Sequence, residues 1–86
     1  MAHSISAKKR VRQSETRQLR NKSYKTMVKN LEKKVQSAIS SGNKEESLNA
    51  FLDFQKKIDS VARKGILHKK LAARKKNRIM KQINAL

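Results

Sequence analysis

The apolar side chains in the first half of the chain follow a helical repeat. At about 100° per residue they fall within an arc of roughly 120°, which is one face of a helix. The positions on this face are Tyr24, Met27, Val28, Leu31, Val35, Ala38 and Ile39. The pattern predicts an amphipathic first helix, which we place over about residues 6–40.

Two glycines divide the apolar pattern into three segments. The chain has no proline, and its only glycines, Gly42 and Gly65, stand where one segment gives way to the next. Glycine readily adopts the left-handed backbone that ends many helices, so both positions are predicted helix stops.

The second segment predicts a helix over about residues 44–64. Asn43 stands three residues before Glu46, which is the spacing of an N-cap and a carboxylate that can reach back to it. The apolar positions are Leu48, Phe51, Leu52, Phe54, Ile58, Val61 and Ala62. They cover about half of the circumference, as expected for a middle helix between two neighbours.

The third segment predicts a helix over about residues 67–85. Its stripe consists of His68, Leu71, Ala72, Ile79, Ile83 and Leu86. Short connections make consecutive helices antiparallel neighbours. The predicted fold is therefore all-α, a three-helix bundle with an extended, basic N-terminal first helix, and residues 1–86 are expected to form a single domain.

The predicted helices differ in length. The first would measure about 50 Å and the second about 30 Å, so roughly 15 N-terminal residues must extend beyond the bundle. In this extension the positions that continue the apolar face are occupied by Arg10, Gln13, Arg17 and Arg20. The other sides carry Lys8, Lys9, Arg12, Lys22 and Lys25. A helix that is polar on every side is unstable alone, so we expect a partner to order this extension.

The basic residues at the start of the extension indicate an anionic partner. We expect Lys8, Lys9 and Arg10 to lie in the first turn, at the positive end of the helix dipole. Each cation there is disfavoured by about 0.3–1 kcal/mol. A bound phosphate would reverse the sign of this effect.

Positive charge is concentrated at both ends of the chain. The sequence has 23 Lys and Arg against 6 Asp and Glu, which gives a net charge of +17. Residues 1–40 carry 11 basic and 2 acidic side chains, residues 41–64 carry 5 and 4, and residues 65–86 carry 7 and none. This charge favours a polyanion such as RNA or DNA. We expect the outer helices to bind it and the middle helix to hold them together.

The third helix is predicted to present a cationic face opposite its apolar stripe. That face consists of Lys70, Arg74, Arg78 and Lys81, widened by Lys69, Lys75 and Lys76, with Asn77 as a hydrogen-bonding group for ribose or phosphate. A merely solvated surface would carry interspersed acids, and none occurs after Asp59. His68 lies in the core-facing sector, which favours a buried or capping histidine over a direct RNA contact.

The sequence gives no support for catalysis or metal binding. It has no cysteine and only two histidines, far apart, so neither a disulfide nor a metal site is predicted. It has no Gly-rich phosphate loop and no nucleophile with a nearby base, so we expect neither an enzyme nor a cofactor. No stretch approaches the roughly 18 apolar residues of a membrane span. The start lacks the apolar core of a signal peptide, so we expect a cytoplasmic protein.

Two other kinds of protein share this charge. A DNA-compacting protein is one, although the chain lacks an obvious helix-turn-helix recognition helix. An amphipathic protein of the membrane surface is the other, but apolar stripes matched across three segments, without tryptophan, suit mutual burial better. The few aromatic residues also argue against binding single strands by stacking.

Two stretches of the chain resemble the bacterial small-subunit ribosomal protein S20 family. The N-terminal one is Ser6-Ala7-Lys8-Lys9-Arg10, followed by Gln13 and Asn21. The C-terminal one is Gly65-Ile66-Leu67-His68-Lys69 with Ala72-Ala73-Arg74-Lys75 and then Arg78. In length and helix layout the similarity extends over nearly the whole chain.

The resemblance implies a structural constituent of the small ribosomal subunit, monomeric within the cytoplasmic ribosome. It implies direct binding to 16S ribosomal RNA during assembly, with RNA segments bridged and neutralised by the basic helices. It implies no small-molecule substrate, no cofactor and no membrane. Through the resemblance, Ser6, Asn21 and His68 join the predicted RNA-binding residues.

Overall fold

Three helices make up the fold. A computed structural model describes residues 3–86, with side chains described from residue 7 onward. Within that range the helices are α1 (His3–Ser40), α2 (Lys44–Arg63) and α3 (Lys69–Asn84), and no strand occurs. The predicted all-α fold with an elongated first helix is confirmed.

The start of α1 differs from the prediction. The helix begins at His3 rather than at about residue 6, so Lys8, Lys9 and Arg10 lie beyond the first turn. The expected dipole penalty on these three cations is therefore wrong, because the effect falls off within the first turn of a helix.

Both glycines end a helix, as predicted. Gly42 has φ +76° and Gly65 has φ +78°, in the left-handed region that glycine adopts without strain. After α2, the Gly65 N–H donates to the Ala62 carbonyl at 3.0 Å and the Ile66 N–H donates to the Val61 carbonyl at 3.2 Å. This pair of bonds is a Schellman motif, which satisfies carbonyls that the end of α2 leaves without a helical partner.

Side chains cap the starts of α2 and α3. The Asn43 side-chain oxygen accepts a hydrogen bond from the Glu46 N–H at 3.0 Å, so the predicted N-cap is confirmed. His68 Nδ1 accepts from the Lys70 N–H at 3.1 Å. Because His68 has extended backbone angles as a cap, α3 begins at Lys69, two residues after the predicted start.

The core lies where the three helices meet. Its fully buried apolar side chains are Val35, Phe54, Ile58, Val61, Ile79 and Ile83. Tyr24, Leu31, Ile39, Ile66, Leu67 and Met80 pack against it and stay partly exposed. The only polar side chain buried in the described part of the chain is Ser47, whose hydroxyl donates to the Asn43 carbonyl at 2.7 Å.

Six of the predicted stripe positions lie outside the core. Met27, Leu48, Leu52, Leu71 and Leu86 are between 38% and 53% exposed, and His68 is exposed as well. Met27, Leu48, Leu52 and Leu71 sit at the margins of the apolar arcs, whereas His68 and Leu86 lie outside the two ends of α3. Conversely, Ser47 and Ala50 of α2 are buried although the apolar pattern did not include them.

Polar contacts tie α3 to both other helices. Lys75 Nζ lies 3.0 Å from Glu32 of α1, and Lys76 Nζ lies 2.7 Å from Asp59 of α2. Gln36 Nε2 also donates to Gln82 Oε1 at 3.0 Å. The molecule measures 64 × 21 × 14 Å, and the long dimension reflects α1.

Candidate nucleic-acid interface

The N-terminal part of α1 extends beyond the bundle. The 38 residues of α1 span about 57 Å and the 20 of α2 about 30 Å. Residues 7–20, which we call the overhang, are exposed at every position. The overhang agrees in length with the predicted extension of about 15 residues. It is continuously helical, and whether a partner is needed to order it stays a prediction.

The basic side of the overhang continues the core-facing side of α1. At about 100° per residue, Arg10 and Arg17 lie within about 20° of Val28, which is buried against the other helices. α2 and α3 do not reach this far, so nothing in the described chain covers these arginines. The core face of α1 thus becomes an arginine face at the point where the bundle ends.

Two shallow grooves bring the predicted residues of α1 together. One runs along the overhang and is lined by Lys9, Arg12, Gln13, Thr16, Arg17 and Arg20. The other lies nearer the bundle and is lined by Gln18, Asn21, Lys22, Lys25, Thr26 and Lys29. Lys8 and Arg10 are exposed beside the first groove, and the side chain of Ser6 lies outside the described residues.

The overhang has an excess of cations that its own acids cannot neutralise. It contains six basic residues and one acidic residue, Glu15. Among the described residues the ion pairs all involve the bundle, and none involves the overhang. A groove lined by unpaired guanidinium and ammonium groups is suited to phosphate oxygens, which accept charge-assisted hydrogen bonds.

The predicted cationic face of α3 is fully exposed. Lys70, Arg74, Asn77, Arg78 and Lys81 are all exposed, and by the helical repeat they share an arc of about 100°. The buried side chains Ala72, Ile79 and Ile83 occupy the opposite side of the helix. Lys69 is exposed as well, at the start of α3 and close to the end of α2.

Lys75 and Lys76 hold a different position from the other lysines of α3. Both are partly buried, one on each flank of the buried stripe, and each is already paired with a carboxylate on a neighbouring helix. Their observed contacts hold α3 against α1 and α2. Their assignment to RNA stays a prediction that no observed contact supports.

His68 has a structural role in the fold. It is exposed and caps α3 through Nδ1, which agrees with the capping alternative and not with burial. The capping bond uses one ring nitrogen, so the predicted RNA contact would have to involve the other.

Tyr24 marks the point where the overhang joins the bundle. It is partly buried and packs against the core, as the sequence favoured over base stacking. Lys64, at the C-cap of α2, donates a hydrogen bond to the Tyr24 hydroxyl at 2.8 Å and lies 4.3 Å from its ring centroid. This hydrogen bond and the charge of Lys64 lower the pKa of Tyr24 below 10.0, and the charges of Arg20 and Lys57 lower it further, against an opposing effect of burial.

Lys57 and Lys64 were not among the predicted binding residues, because the middle helix was expected only to hold the outer helices together. The near balance of charge over residues 41–64 concealed where each charge lies. The signal that could have revealed them is the position of four of the five basic residues of that segment within residues 56–64, close to the predicted end of the helix.

The described residues contain neither a metal centre nor a membrane-spanning helix. No group of His, Asp or Glu side chains there is arranged to hold a metal ion. None of the described helices combines the length and apolar character that a membrane crossing requires.

The chain is similar to ribosomal proteins over its whole length. The sequence model of the family described as Ribosomal protein S20 matches residues 2–84. A small ribosomal subunit protein bS20 from Photorhabdus laumondii is 48% identical over 86 residues, covering 100% of this chain and 99% of that protein. The bS20 protein from Clostridium acetobutylicum is 46% identical, covering 100% and 98%. The one from Hamiltonella defensa is 49% identical, covering 100% and 79%.

Proposed function

Since the chain belongs to the ribosomal protein S20 family, we propose that it is a structural constituent of the small ribosomal subunit that binds 16S ribosomal RNA directly. The observation that carries the proposal is the overhang, whose arginine face continues the core face of α1 and is covered by no described part of the chain. The role is that of a binding protein and not of an enzyme.

RNA explains the overhang better than a protein partner does. Six basic residues within about 21 Å of helix would repel one another unless anionic groups lay on several sides. Folded RNA provides such surroundings where its strands crowd together. The overhang would insert between RNA segments and neutralise their phosphates, while the cationic face of α3 grips a second backbone.

Recognition would depend mainly on RNA shape. The deep major groove of A-form RNA hides its base edges, whereas phosphates and 2'-hydroxyls remain accessible. The proposed contacts on α1 are Ser6, Lys8, Lys9, Arg10, Arg12, Gln13, Arg17, Arg20, Asn21, Lys22 and Lys25. Those on α3 are Lys69, Lys70, Arg74, Asn77, Arg78 and Lys81. His68, Lys75 and Lys76 contribute first to the fold.

The proposal includes the setting in which the protein works. It acts as a monomer within the ribosome in the cytoplasm, and it requires neither a cofactor nor a membrane. Duplex DNA and anionic vesicles are the competing ligands that the charge alone would permit, so both belong in the binding experiment.

The test is a measurement of affinity for 16S ribosomal RNA between 50 and 200 mM salt. Neutralising six to ten phosphates predicts a loss of about a thousandfold to a hundred-thousandfold over this range. Affinity for RNA should exceed that for duplex DNA and anionic vesicles at physiological salt. A nearly flat salt dependence, or equal affinity for duplex DNA, would refute the proposal.

A triple variant locates the contact on α1. Arg10→Gln, Arg17→Gln and Arg20→Gln together should reduce the slope of log K against log salt by about 2–3, with helicity unchanged. The matched control is Lys33→Gln, Lys34→Gln and Lys44→Gln, which removes the same charge from exposed positions of α1 and α2 outside both grooves. If both variants lose the same affinity, net charge and not the overhang governs binding.

A further inference from the structure

Charge in α2 is segregated along the helix. The first half contains Glu45, Glu46 and Asp53 with a single lysine. The second half contains Lys56, Lys57 and Arg63, the C-cap adds Lys64, and the one acid of this half, Asp59, is paired with Lys76 of α3. The middle helix therefore has a basic end, which its near-neutral overall charge conceals.

This basic end lies at the root of the overhang. α1 and α2 are antiparallel neighbours, so the C-cap of α2 comes beside Tyr24, where α1 leaves the bundle. Arg20 lies one helical turn before Tyr24 on α1, and Lys57 lies two turns before Lys64 on the same side of α2. We call this group the Tyr24 corner: Arg20, Tyr24, Lys57 and Lys64.

Lys64 contacts Tyr24 directly, and the other two cations of the Tyr24 corner lie on nearby turns of α1 and α2. Lys64 Nζ lies 2.8 Å from the Tyr24 hydroxyl oxygen, and Arg20 and Lys57 are near enough for their charges to lower the pKa of that hydroxyl. The described groups whose charge shifts this pKa are all cations. Neither Lys57 nor Lys64 belongs to an ion pair among the described residues.

We propose that the Tyr24 corner binds a phosphodiester of the RNA backbone at the root of the overhang, so that the middle helix contributes to the interface. The inference rests on the proposed function and extends it to residues of α2. Tyr24 accepts its hydrogen bond from Lys64, which leaves its own O–H to donate to a phosphate oxygen. The three cations supply the compensating charge, and their positions on two helices fix where the phosphate sits.

The first test compares two double variants of the bundle. Lys57→Gln with Lys64→Gln removes two charges from the corner, and Lys33→Gln with Lys44→Gln removes two from exposed positions of α1 and α2 away from it. With 16S ribosomal RNA, the corner variant should lower the slope of log K against log salt by about 1.4–1.8. The control should change the slope much less. Equal slopes for the two variants overturn the proposal.

A second variant guards against a loss of folding. Tyr24→Phe keeps the ring beneath Lys64 and all three cations but removes the hydroxyl donor. It should weaken RNA binding several-fold while the salt slope and helicity remain those of the unmodified chain. If Tyr24→Phe binds RNA with unchanged affinity, the Tyr24 hydroxyl does not donate to a phosphate and the proposal is refuted.

Tyr24 also provides a direct reporter, because it is the only tyrosine of the chain. Tyrosine labelled with carbon-13 at Cζ alone gives a single signal, which should shift when a 16S ribosomal RNA fragment is added. Inorganic phosphate at the same concentration should leave it unchanged; an equal shift with inorganic phosphate would indicate a free-anion site instead and overturn the proposal.

The outcomes separate this inference from the proposed function. If the unmodified chain shows no salt-dependent binding to ribosomal RNA, the proposed function fails. If it binds with a steep salt slope that the corner variant retains, the function stands and only the Tyr24 corner is refuted.

Discussion

Replacing Lys75 and Lys76 together with glutamine should weaken the fold and should reduce RNA binding less than the loss of two charges from the exposed face of α3. Their partners are Glu32 and Asp59, and the four side chains are between 26% and 38% exposed. Partly exposed pairs of this kind contribute about 0.2–1 kcal/mol each, since solvent screens them. Loss of both should cost about 1 kcal/mol, which lowers the Tm of a chain of this size by about 4–8 °C.

Removing two charges from the exposed face of α3 should instead weaken RNA binding and leave the stability of the fold nearly unchanged. Arg74→Gln with Arg78→Gln also removes two charges, but neither arginine has a carboxylate partner among the described ion pairs. Its Tm should stay within about 2–4 °C of the original value, as surface changes are usually within about 0.5 kcal/mol. Its salt slope for ribosomal RNA should fall by about 1.4–1.8.

Thermal denaturation followed by circular dichroism and RNA binding across salt concentrations measure both effects. Glu32→Gln with Asp59→Asn is the complementary control: it should lower the Tm in the same way and leave RNA affinity unchanged or higher, because two ammonium groups are released. The reasoning is refuted if the Lys75 and Lys76 variant keeps its Tm and loses salt slope, because those lysines would then contact RNA and not the acids.

Three further predictions concern the ends of helices and the Tyr24 contact. His68→Ala should destabilise the chain by about 1 kcal/mol through loss of the α3 cap, and His68→Asn should recover most of it in thermal denaturation. Gly65→Ala should lower the free energy of unfolding by about 1 kcal/mol because φ is +78°, although a Cβ at this position meets nothing within 4 Å. A synthetic chain with D-alanine at position 65 should keep the original stability. If both chains lose the same stability, steric exclusion of the Cβ and not the backbone angle is the cause. In an absorbance titration Tyr24 should ionise below pH 10.0, and Lys64→Gln should raise its pKa. Because the pKa of Tyr24 is lower in the folded chain than in the unfolded chain, ionisation of Tyr24 stabilises the fold above pH 10.0. This stabilisation is lost as the pH falls through the pKa that Tyr24 has in the folded chain.

Local sequence signals were sufficient to predict the three helices and several of their ends. The apolar repeat gave the helical segments, Gly42 and Gly65 gave two helix ends, and the spacing of Asn43 and Glu46 gave the α2 cap. Each of these depends on residues no more than a few positions apart, so the relevant contacts are visible within one stretch of sequence.

Contacts between helices were not predictable in the same way. The periodic pattern gives an apolar arc but not which part of it a neighbour covers, so Leu52 was expected in the core and Ser47 was not. Lys75 meets Glu32 from 43 residues away in sequence, and Lys64 meets Tyr24 from 40. Both lysines resemble ordinary surface charges until the packing of the helices is known.

Because α1 is continuous, the direction of the arginine face is fixed relative to the side chains of α1 that pack in the bundle. One unbroken helix carries both the side chains packed in the bundle and the arginines of the overhang, so inserting a single residue between Arg20 and Tyr24 would turn the arginine face by about 100°. An insertion of seven residues would return it to within about 20° of its original direction while moving it about 10 Å further from the bundle. The number of residues joining the two parts is thus constrained as tightly as their identity, and changes of length in α1 should be tolerated only in steps that complete whole helical turns.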